Sequence, residues 1–314
     1  MSIAFTFPGQ GSQAVGMGKV LADTYAEARA VFDEIDDALG QKLSDVMWNG
    51  PDTDLTLTAN AQPALMAVSL ATMRVLEAKG LELEKSVSYV AGHSLGEYSA
   101  LAAAGSLDVG TAARLLRVRG DAMQNAVPVG QGAMAALLGL DFDAAREVAE
   151  EAAQGEVCQA ANDNAPGQVV VSGHVGAVER AIEIAKAKGA RRAVLLPVSA
   201  PFHCALMAPA ADAMAEALAS ADVKAPKVPL VANVLAAPIT DPAEIRKRLV
   251  EQVTGTVRWR ESVTWLAENG VDTLVEVGTG KVLTGMVKRI SKETTGMAVN
   301  TPEDIDALIE KLSD

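Results

Sequence analysis

Apolar positions along the chain alternate between short runs and helical stripes from one end to the other. Residues 3–7 form a mostly apolar run of strand length, the kind that a parallel sheet buries on both faces. Pro8-Gly9-Gln10-Gly11-Ser12-Gln13 follows, where a proline and two glycines end extended structure and let the backbone come close to whatever lies above it. A 3.6-residue period then predicts helices over 20–39 and 60–79, with Pro63 in the first turn of the second and Gly80 as its C-cap. A short apolar strand over 87–92 runs into Gly92-His93-Ser94-Leu95-Gly96, and a small-residue helix over 94–104 stops at Gly105. A further helix over 109–127 ends near Pro128 and Gly130.

Beyond residue 132 the pattern changes to strand 133–140, helix 142–153, strands 156–161 and 168–172, helix 175–188 and strand 192–196. This βαββαβ order is that of a ferredoxin-like unit. It predicts a small domain over 129–197, bounded by Pro128 and Pro197 and inserted into a discontinuous α/β domain made of 1–128 and 198–314. The parent resumes with helices over 204–220, 243–253 and 259–268 and strands over 228–231 and 273–277. A strand turning sharply into a helix at a serine makes the large domain α/β-hydrolase-like. A length of 314 residues suits one large core with a smaller one inserted.

Composition narrows the function classes. Apolar residues make up 49% and charges 21%, as in a soluble globular protein. A net charge of -13 lacks the basic footprint that displaces counterions from nucleic acid. Cys158 and Cys204 are too few for a disulfide framework and have no metal-ligand spacing, which points to a reducing compartment. No basic, signal-like segment precedes the first strand, and the apolar stretch 64–75 is too short for a bilayer and contains Arg74. The expectation is a cytoplasmic monomer without nucleic-acid or membrane partners.

The G-x-S-x-G spacing around Ser94 lifts a hydroxyl above a sheet at a helix N-terminus, although a glycine-rich strand end with a capping serine has the same composition. A serine nucleophile needs a base, and the chain has three histidines. His93 adjoins Ser94 and so points to the opposite face, where it supports the turn. His174 follows a strand of the inserted unit and reads as a surface or packing residue. His203, in Ser199-Ala200-Pro201-Phe202-His203-Cys204, remains. Arg119 lies on the apolar stripe of Leu115 and Met123, so it needs an inward anion, either an internal carboxylate or one carried by a substrate. Arg117 aligns instead with Asp121 on a face that reads as solvated. Gly9-x-Gly11-x-x-Ala14 mimics a dinucleotide fingerprint, but the acids about 20 residues on, Asp33, Glu34, Asp36 and Asp37, fall inside a helical pattern rather than at a strand end. Neither Gly18-Lys19 nor Gly280-Lys281 has P-loop spacing. No metal and no cofactor is expected.

Phe7-Pro8-Gly9-Gln10-Gly11-Ser12-Gln13, Gly92-His93-Ser94-Leu95-Gly96-Glu97-Tyr98, Arg119, Phe202-His203 and Glu276-Val277-Gly278-Thr279-Gly280-Lys281 together resemble the malonyl-CoA:acyl-carrier-protein transacylases of fatty-acid synthesis. Acyltransferase domains of polyketide and fatty-acid megasynthases share most of these motifs, and a chain ending near Asp314 favours the discrete enzyme. The other open readings are an acyltransferase serving a polyketide-type pathway, a serine hydrolase or thioesterase, and a non-catalytic binding protein using the Gly9-Gln10-Gly11 loop. The resemblance implies that Ser94 attacks the thioester and that His203 moves the proton, oriented by a carbonyl at Gln252. It implies an oxyanion hole from the backbone N–H groups of Gln10 and Leu95, and a pairing of Arg119 with the malonyl carboxylate. Phe202 resembles the malonyl-selective version of the family, Pro201 departs from it, and Asn162 and Asn164 match a loop near the acyl site. Malonyl-CoA is the implied substrate and acyl carrier protein the partner. An acidic carrier calls for a local basic patch, with Lys186, Lys188, Arg191 and Arg192 as one candidate and Lys281, Lys288 and Arg289 as another.

Overall fold

The computed structural model describes residues 2–313, and ten strands form two sheets among them. The strands are β1 (Ile3–Phe7), β2 (Tyr89–Gly92), β3 (Gly132–Leu138), β4 (Cys158–Ala165), β5 (Gln168–His174), β6 (Arg192–Leu195), β7 (Leu230–Ala232), β8 (Ala237–Ile239), β9 (Thr273–Val277) and β10 (Thr295–Val299). The larger sheet has the order β10-β9-β1-β2-β7-β8, parallel except for β8. β1 lies in its middle with every residue buried, as its apolar run requires. Because Phe7 pairs with Gly92, β1 and β2 end together, and the loops that follow them leave the same sheet edge side by side. The His93 N–H donates to the Phe7 carbonyl at 3.0 Å and locks that adjacency. Ligands of open parallel sheets bind at this carboxyl edge.

Helix Thr58–Ala78 is buried almost all round and serves as a core helix of the large unit. Helix Val109–Asn125 packs on it at Gly120, where an added Cβ would lie 2.6 Å from Ala59 Cα and 2.7 Å from the Thr58 carbonyl. Only glycine lets the backbones meet this closely, and the next residue toward the N-terminus is Arg119.

The smaller sheet is antiparallel, in the order β4-β5-β3-β6, with helices Phe142–Ala153 and Val175–Ala187 on one face. Period-two alternation divides β3 between two environments: Ala135 and Leu137 enter the core beneath those helices, whereas Met134 and Ala136 face a cavity shared with the larger sheet. Register shifts between Ala160 and Asn162, and again between Asp163 and Ala165, bend the end of β4 toward the larger unit. There Asp163 donates its N–H to the Val257 carbonyl at 2.9 Å, and its buried carboxylate takes Arg260 Nε at 3.0 Å and Arg260 Nη2 at 2.7 Å. The two sheets are clipped together at this point.

Several expectations need correction. The helix expected over 20–39 is two helices, Lys19–Thr24 and Ala26–Leu39, parted at Tyr25, whose backbone is extended. Pro63 sits in the second turn of its helix, which begins earlier than expected, at Thr58. Asn162 and Asn164 belong to strand β4, since the bulges disguise the strand's alternation. β8 and β10 carry no strand signal in the sequence, because one holds a proline on an edge and the other a glycine in a three-residue apolar remnant. Among the described residues no helix is long and apolar enough to cross a membrane.

Candidate active site

The elbow after β2 forms because glycines stand on both sides of Ser94. A Cβ on Gly92 would lie 1.9 Å from the Gly96 carbonyl, and one on Gly96 would lie 2.3 Å from the Phe7 carbonyl. With both positions bare, the chain reverses tightly enough to hold Ser94 at φ 55°, a left-handed conformation costly for a side-chain-bearing residue. Asn233, just past β7, restrains it: its Oδ1 accepts the Ser94 N–H at 2.8 Å and its Nδ2 donates to the Gly92 carbonyl at 2.7 Å. Gly9 lets the first loop rest on the elbow, since a Cβ there would come within 2.7 Å of the His93 carbonyl.

Ser94 Oγ lies 2.8 Å from His203 Nε2. His203 Nδ1 lies 2.8 Å from the Gln252 backbone carbonyl, which only accepts, so Nδ1 carries the proton and Nε2 is left to accept from the serine hydroxyl. Burial, and then the nearby Arg119 charge, push the His203 pKa down to about 3, against the pull of the Gln252 carbonyl. The imidazole is therefore neutral near pH 7. His203 is itself held at φ 59°, so both partners of the pair sit in strained backbone.

Arg119 is 1% exposed, and its charge has no carboxylate in ion-pair contact among the described residues. Neutral groups hold it: Nη1 donates to Gln62 Oε1 at 2.8 Å, and Nη2 to Gln252 Oε1 at 2.8 Å and to Ser94 Oγ at 3.1 Å. Nε has no hydrogen-bond partner among the described residues. Burial lowers the pKa, with the neighbouring Tyr98 and Glu97 opposing. Of the two partners the sequence left open, an internal carboxylate in direct contact is thus absent among the described residues, and a charged donor stands beside Ser94 Oγ in a cavity of about 850 Å³.

The same cavity is lined by Gln10, Leu95, Phe202 and Asn162. The Gln10 and Leu95 backbone N–H groups donate to no protein atom among the described residues. Both residues line the same cavity as Ser94. Pro201 does not line the cavity; it packs on Gly132, where a Cβ would meet its ring at 2.4 Å. His93 lies under the elbow as expected, its Nε2 2.8 Å from Asn164 Oδ1 and its ring against Trp259. Asn164 thus supports the turn. His174 has a packing role, its Nδ1 accepting the Val157 N–H at 2.9 Å. Arg117 is not on a solvated face: it is half-buried and donates to Asn60 Oδ1 and Gln41 Oε1, both at 2.8 Å. The i+4 spacing to Asp121 could not reveal helix neighbours brought in by the fold.

Three site residues escaped the sequence-based search: Gln62, Asn233 and Glu97. Asn233 had a usable signal, a polar residue directly after a strand predicted over 228–231, at the ligand-binding edge of a parallel sheet. Gln62 had none, because it lies within an ordinary helical pattern, whereas Glu97 stood in the Gly92–Tyr98 motif without a role of its own. No cluster of metal-ligating side chains occurs among the described residues.

Comparison with known proteins agrees with this geometry. Residues 4–303 match the acyl transferase domain family. The chain is 46% identical over 313 residues to the malonyl CoA-acyl carrier protein transacylase of Bacillus subtilis, covering 99% of this chain and 98% of that one. It is 48% identical over 307 residues to the enzyme of the same name from Escherichia coli K12, with 98% of each covered. Among solved structures, the acyl-carrier-protein S-malonyltransferase of Bartonella henselae superposes with a TM-score of 0.98 at 58% identity, all of both chains being covered. A malonyl-transacylase solved in complex with a type II PKS acyl-carrier protein gives a TM-score of 0.96 at 44% identity, covering 99% of this chain and 100% of that one. With a serine elbow, a neutral histidine and an unpaired arginine in one cavity, and with these relatives aligned along its whole length, the chain belongs to the malonyl CoA-acyl carrier protein transacylases of the acyl transferase family.

Proposed function

We propose that this protein moves a malonyl group from malonyl-CoA to the phosphopantetheine thiol of an acyl carrier protein in fatty-acid synthesis, through a malonyl ester on Ser94. The observation that carries this reading is the position of Ser94 Oγ, 2.8 Å from a neutral imidazole and 3.1 Å from a guanidinium without an anionic partner. A group bonded to that oxygen and ending in a carboxylate has its charge met within the same cavity.

In the first half-reaction Ser94 Oγ attacks the thioester carbonyl as His203 Nε2 takes the hydroxyl proton. The carbonyl oxygen becomes an oxyanion, for which the free N–H groups of Gln10 and Leu95 are the donors. Collapse of the tetrahedral intermediate breaks the C–S bond, and His203 returns the proton to the departing CoA sulfur. In the second half the carrier thiol gives its proton to His203 and attacks the ester, and Ser94 leaves with that proton. Gln252 contributes a backbone carbonyl in place of a third catalytic carboxylate, fixing the tautomer. Arg119 selects malonyl over acetyl, and holding the carboxylate as an ion disfavours loss of carbon dioxide. Phe202 and Asn162 bound the acyl pocket, Phe202 crowding an α-branch. No cofactor takes part.

The finer fold reading belongs to the same proposal: an α/β-hydrolase-like unit of 1–128 and 198–314 interrupted by a ferredoxin-like unit over 129–197. The βαββαβ element order and the strand order β4-β5-β3-β6 support it. The protein is read as a cytoplasmic monomer. For the carrier, Lys281 and Lys288 are the favoured basic surface: both are exposed, neither has an ion pair among the described residues, and the neighbouring Val282 and Leu283 line the cavity. In the other candidate patch Lys186 and Lys188 are taken up by Glu183 and Glu151, and in this one Arg289 is bound to Gln168.

Intact-mass spectrometry after mixing with malonyl-CoA, acetyl-CoA or methylmalonyl-CoA tests the reading. A stable malonyl adduct that disappears in Ser94→Ala is expected, with little adduct from the other two. Rapid release of malonate with no adduct would favour a hydrolase instead.

A further inference from the structure

Glu97 is a buried carboxyl group for which the reaction has no direct use. It lies in the first turn of helix Gly96–Ala103, 1% exposed, and no Lys or Arg is in ion-pair contact with it among the described residues. Its two oxygens have separate duties. Oε1 accepts the Asn233 backbone N–H at 2.7 Å, and Oε2 accepts from Gln252 Nε2. Gln252 Nε2 also donates to the Ser94 carbonyl at 2.9 Å, and on the other side of the amide Oε1 accepts from Arg119 at 2.8 Å.

An amide side chain can turn by half a rotation with almost no change of shape, so its orientation is set only by its neighbours. Arg119 is a pure donor and calls for the Gln252 oxygen; the nitrogen is then compelled to face Glu97 and Ser94, both of which must accept. The carboxylate meets this demand on both oxygens, and the neutral acid meets it only with its hydrogen turned away from the two N–H donors. The group is costly to bury, and burial pushes its pKa up to about 8 against its N–H partners and Arg119. A side chain held at that cost, one amide away from the substrate-binding cation, is explained by what the amide does.

We propose that Glu97 is a positioning residue for malonyl selection: by accepting from Gln252 Nε2 it keeps Gln252 Oε1 on Arg119, and so holds the guanidinium where the substrate carboxylate meets it. Glu97 touches neither substrate nor reacting atoms. The inference rests on the proposed role of Arg119, and the test separates the two.

Glu97→Gln is nearly isosteric, but an amide nitrogen has no accepting lone pair. The Asn233 backbone N–H cannot turn, whereas the Gln252 amide can, and turning it points Nε2 at Arg119. Malonyl- and acetyl-enzyme formation are followed by rapid-quench intact-mass spectrometry on Glu97→Gln, Gln252→Met, the double variant and Arg119→Ala, with thermal melts on each. Gln252→Met keeps the backbone carbonyl that orients His203. The expected result is a fall of about tenfold or more in malonyl loading for Glu97→Gln, appearing mainly in KM, with acetyl loading changed about threefold or less. The double variant should lose no more than Gln252→Met alone, since one acts through the other. Equal losses of malonyl and acetyl loading, or additive losses in the double variant, while Arg119→Ala remains malonyl-selective, overturn the role of Glu97. Loss of selectivity for malonyl in none of the variants, Arg119→Ala included, overturns instead the carboxylate role of Arg119. Should Glu97→Gln melt below the assay temperature, Glu97→Asp, which keeps the acceptors but withdraws them by one methylene, carries the same comparison: a malonyl-selective loss supports the proposal and a uniform loss refutes it.

Discussion

Replacing Arg119 by alanine separates what the guanidinium does for a carboxylate-bearing substrate from what it does for the nucleophile. Removing one partner of a buried ion pair strands the other charge in a low-dielectric cavity, at a cost of roughly 3–5 kcal/mol. At 1.36 kcal/mol per factor of ten, malonyl loading should fall by about two orders of magnitude or more. An acetyl group has no charge to strand. For that substrate the loss is the 3.1 Å hydrogen bond from Arg119 to Ser94 Oγ, a net contribution of about 1 kcal/mol or some fivefold. A second effect has the opposite sign. The Arg119 charge is, after burial, the main cause of the depressed His203 pKa, so Arg119→Ala raises that pKa. The imidazole must be neutral to accept the serine proton, and the acid limb of acetyl loading should therefore move to higher pH in the variant. Rapid-quench mass spectrometry with both thioesters from pH 4 to pH 9 measures the two effects together, since the parent's limb, at about 3, lies below that range and a raised pKa brings the variant's toward or into it. Equal losses for malonyl and acetyl, with an unmoved acid limb, would refute the reasoning and leave Arg119 a packing residue.

Glycines inside and outside the elbow differ sharply in what they tolerate. Gly96→Ala puts a Cβ 2.3 Å from the Phe7 carbonyl and should cost about 1–3 kcal/mol of stability and most of the loading activity, whereas Gly285→Ala, with nothing within 4 Å, should be neutral or raise the melting temperature; calorimetry of the pair checks this. The Glu97 carboxyl titrates at about 8 in the folded protein against 4.5 as a free side chain, so the folded state holds a proton the unfolded chain has released, and the stability it contributes is lost as pH rises through that window. The melting temperature of Glu97→Gln relative to the parent should accordingly climb between pH 5 and pH 9; a constant difference would show that Glu97 does not titrate there. Charge reversal at Lys281 and Lys288 should raise the KM for carrier protein several-fold and more so at low salt, leaving malonyl-enzyme formation from malonyl-CoA unchanged. Steady-state kinetics with an acidic carrier protein decide it.

Much of the molecule could be read from local pattern because local pattern was what made it. The run before Gly92, the glycines around Ser94 and the two helices of the smaller unit follow from alternation, period and steric need, and helices Phe142–Ala153 and Trp259–Glu268 begin and end where the periodicity does. His203 was found by elimination, which works when a chain has three histidines. What stayed hidden is non-local. Arg117 meets Gln41 and Asn60 only because other helices arrive there, and the bulges of β4 answer to Val257 and Arg260, about a hundred residues away. The polar network of Gln62, Asn233 and Glu97 around the Gln252 side chain has no spacing at all, since its members come from separate parts of the chain.

The order of the chain itself carries a last consequence. His203 comes 109 residues after Ser94, the Gln252 side chain that reaches the Ser94 carbonyl comes 158 after, and Val275, which flanks β1, comes 269 after Thr6. Since a chain is made from its N-terminus, the elbow leaves the ribosome long before its base, and the middle strand of the sheet waits for a neighbour from the final stretch. A serine without its imidazole is a poor nucleophile. A chain made only as far as β6 thus has the serine without its base, and the two meet only when the segments on either side of the smaller sheet come together.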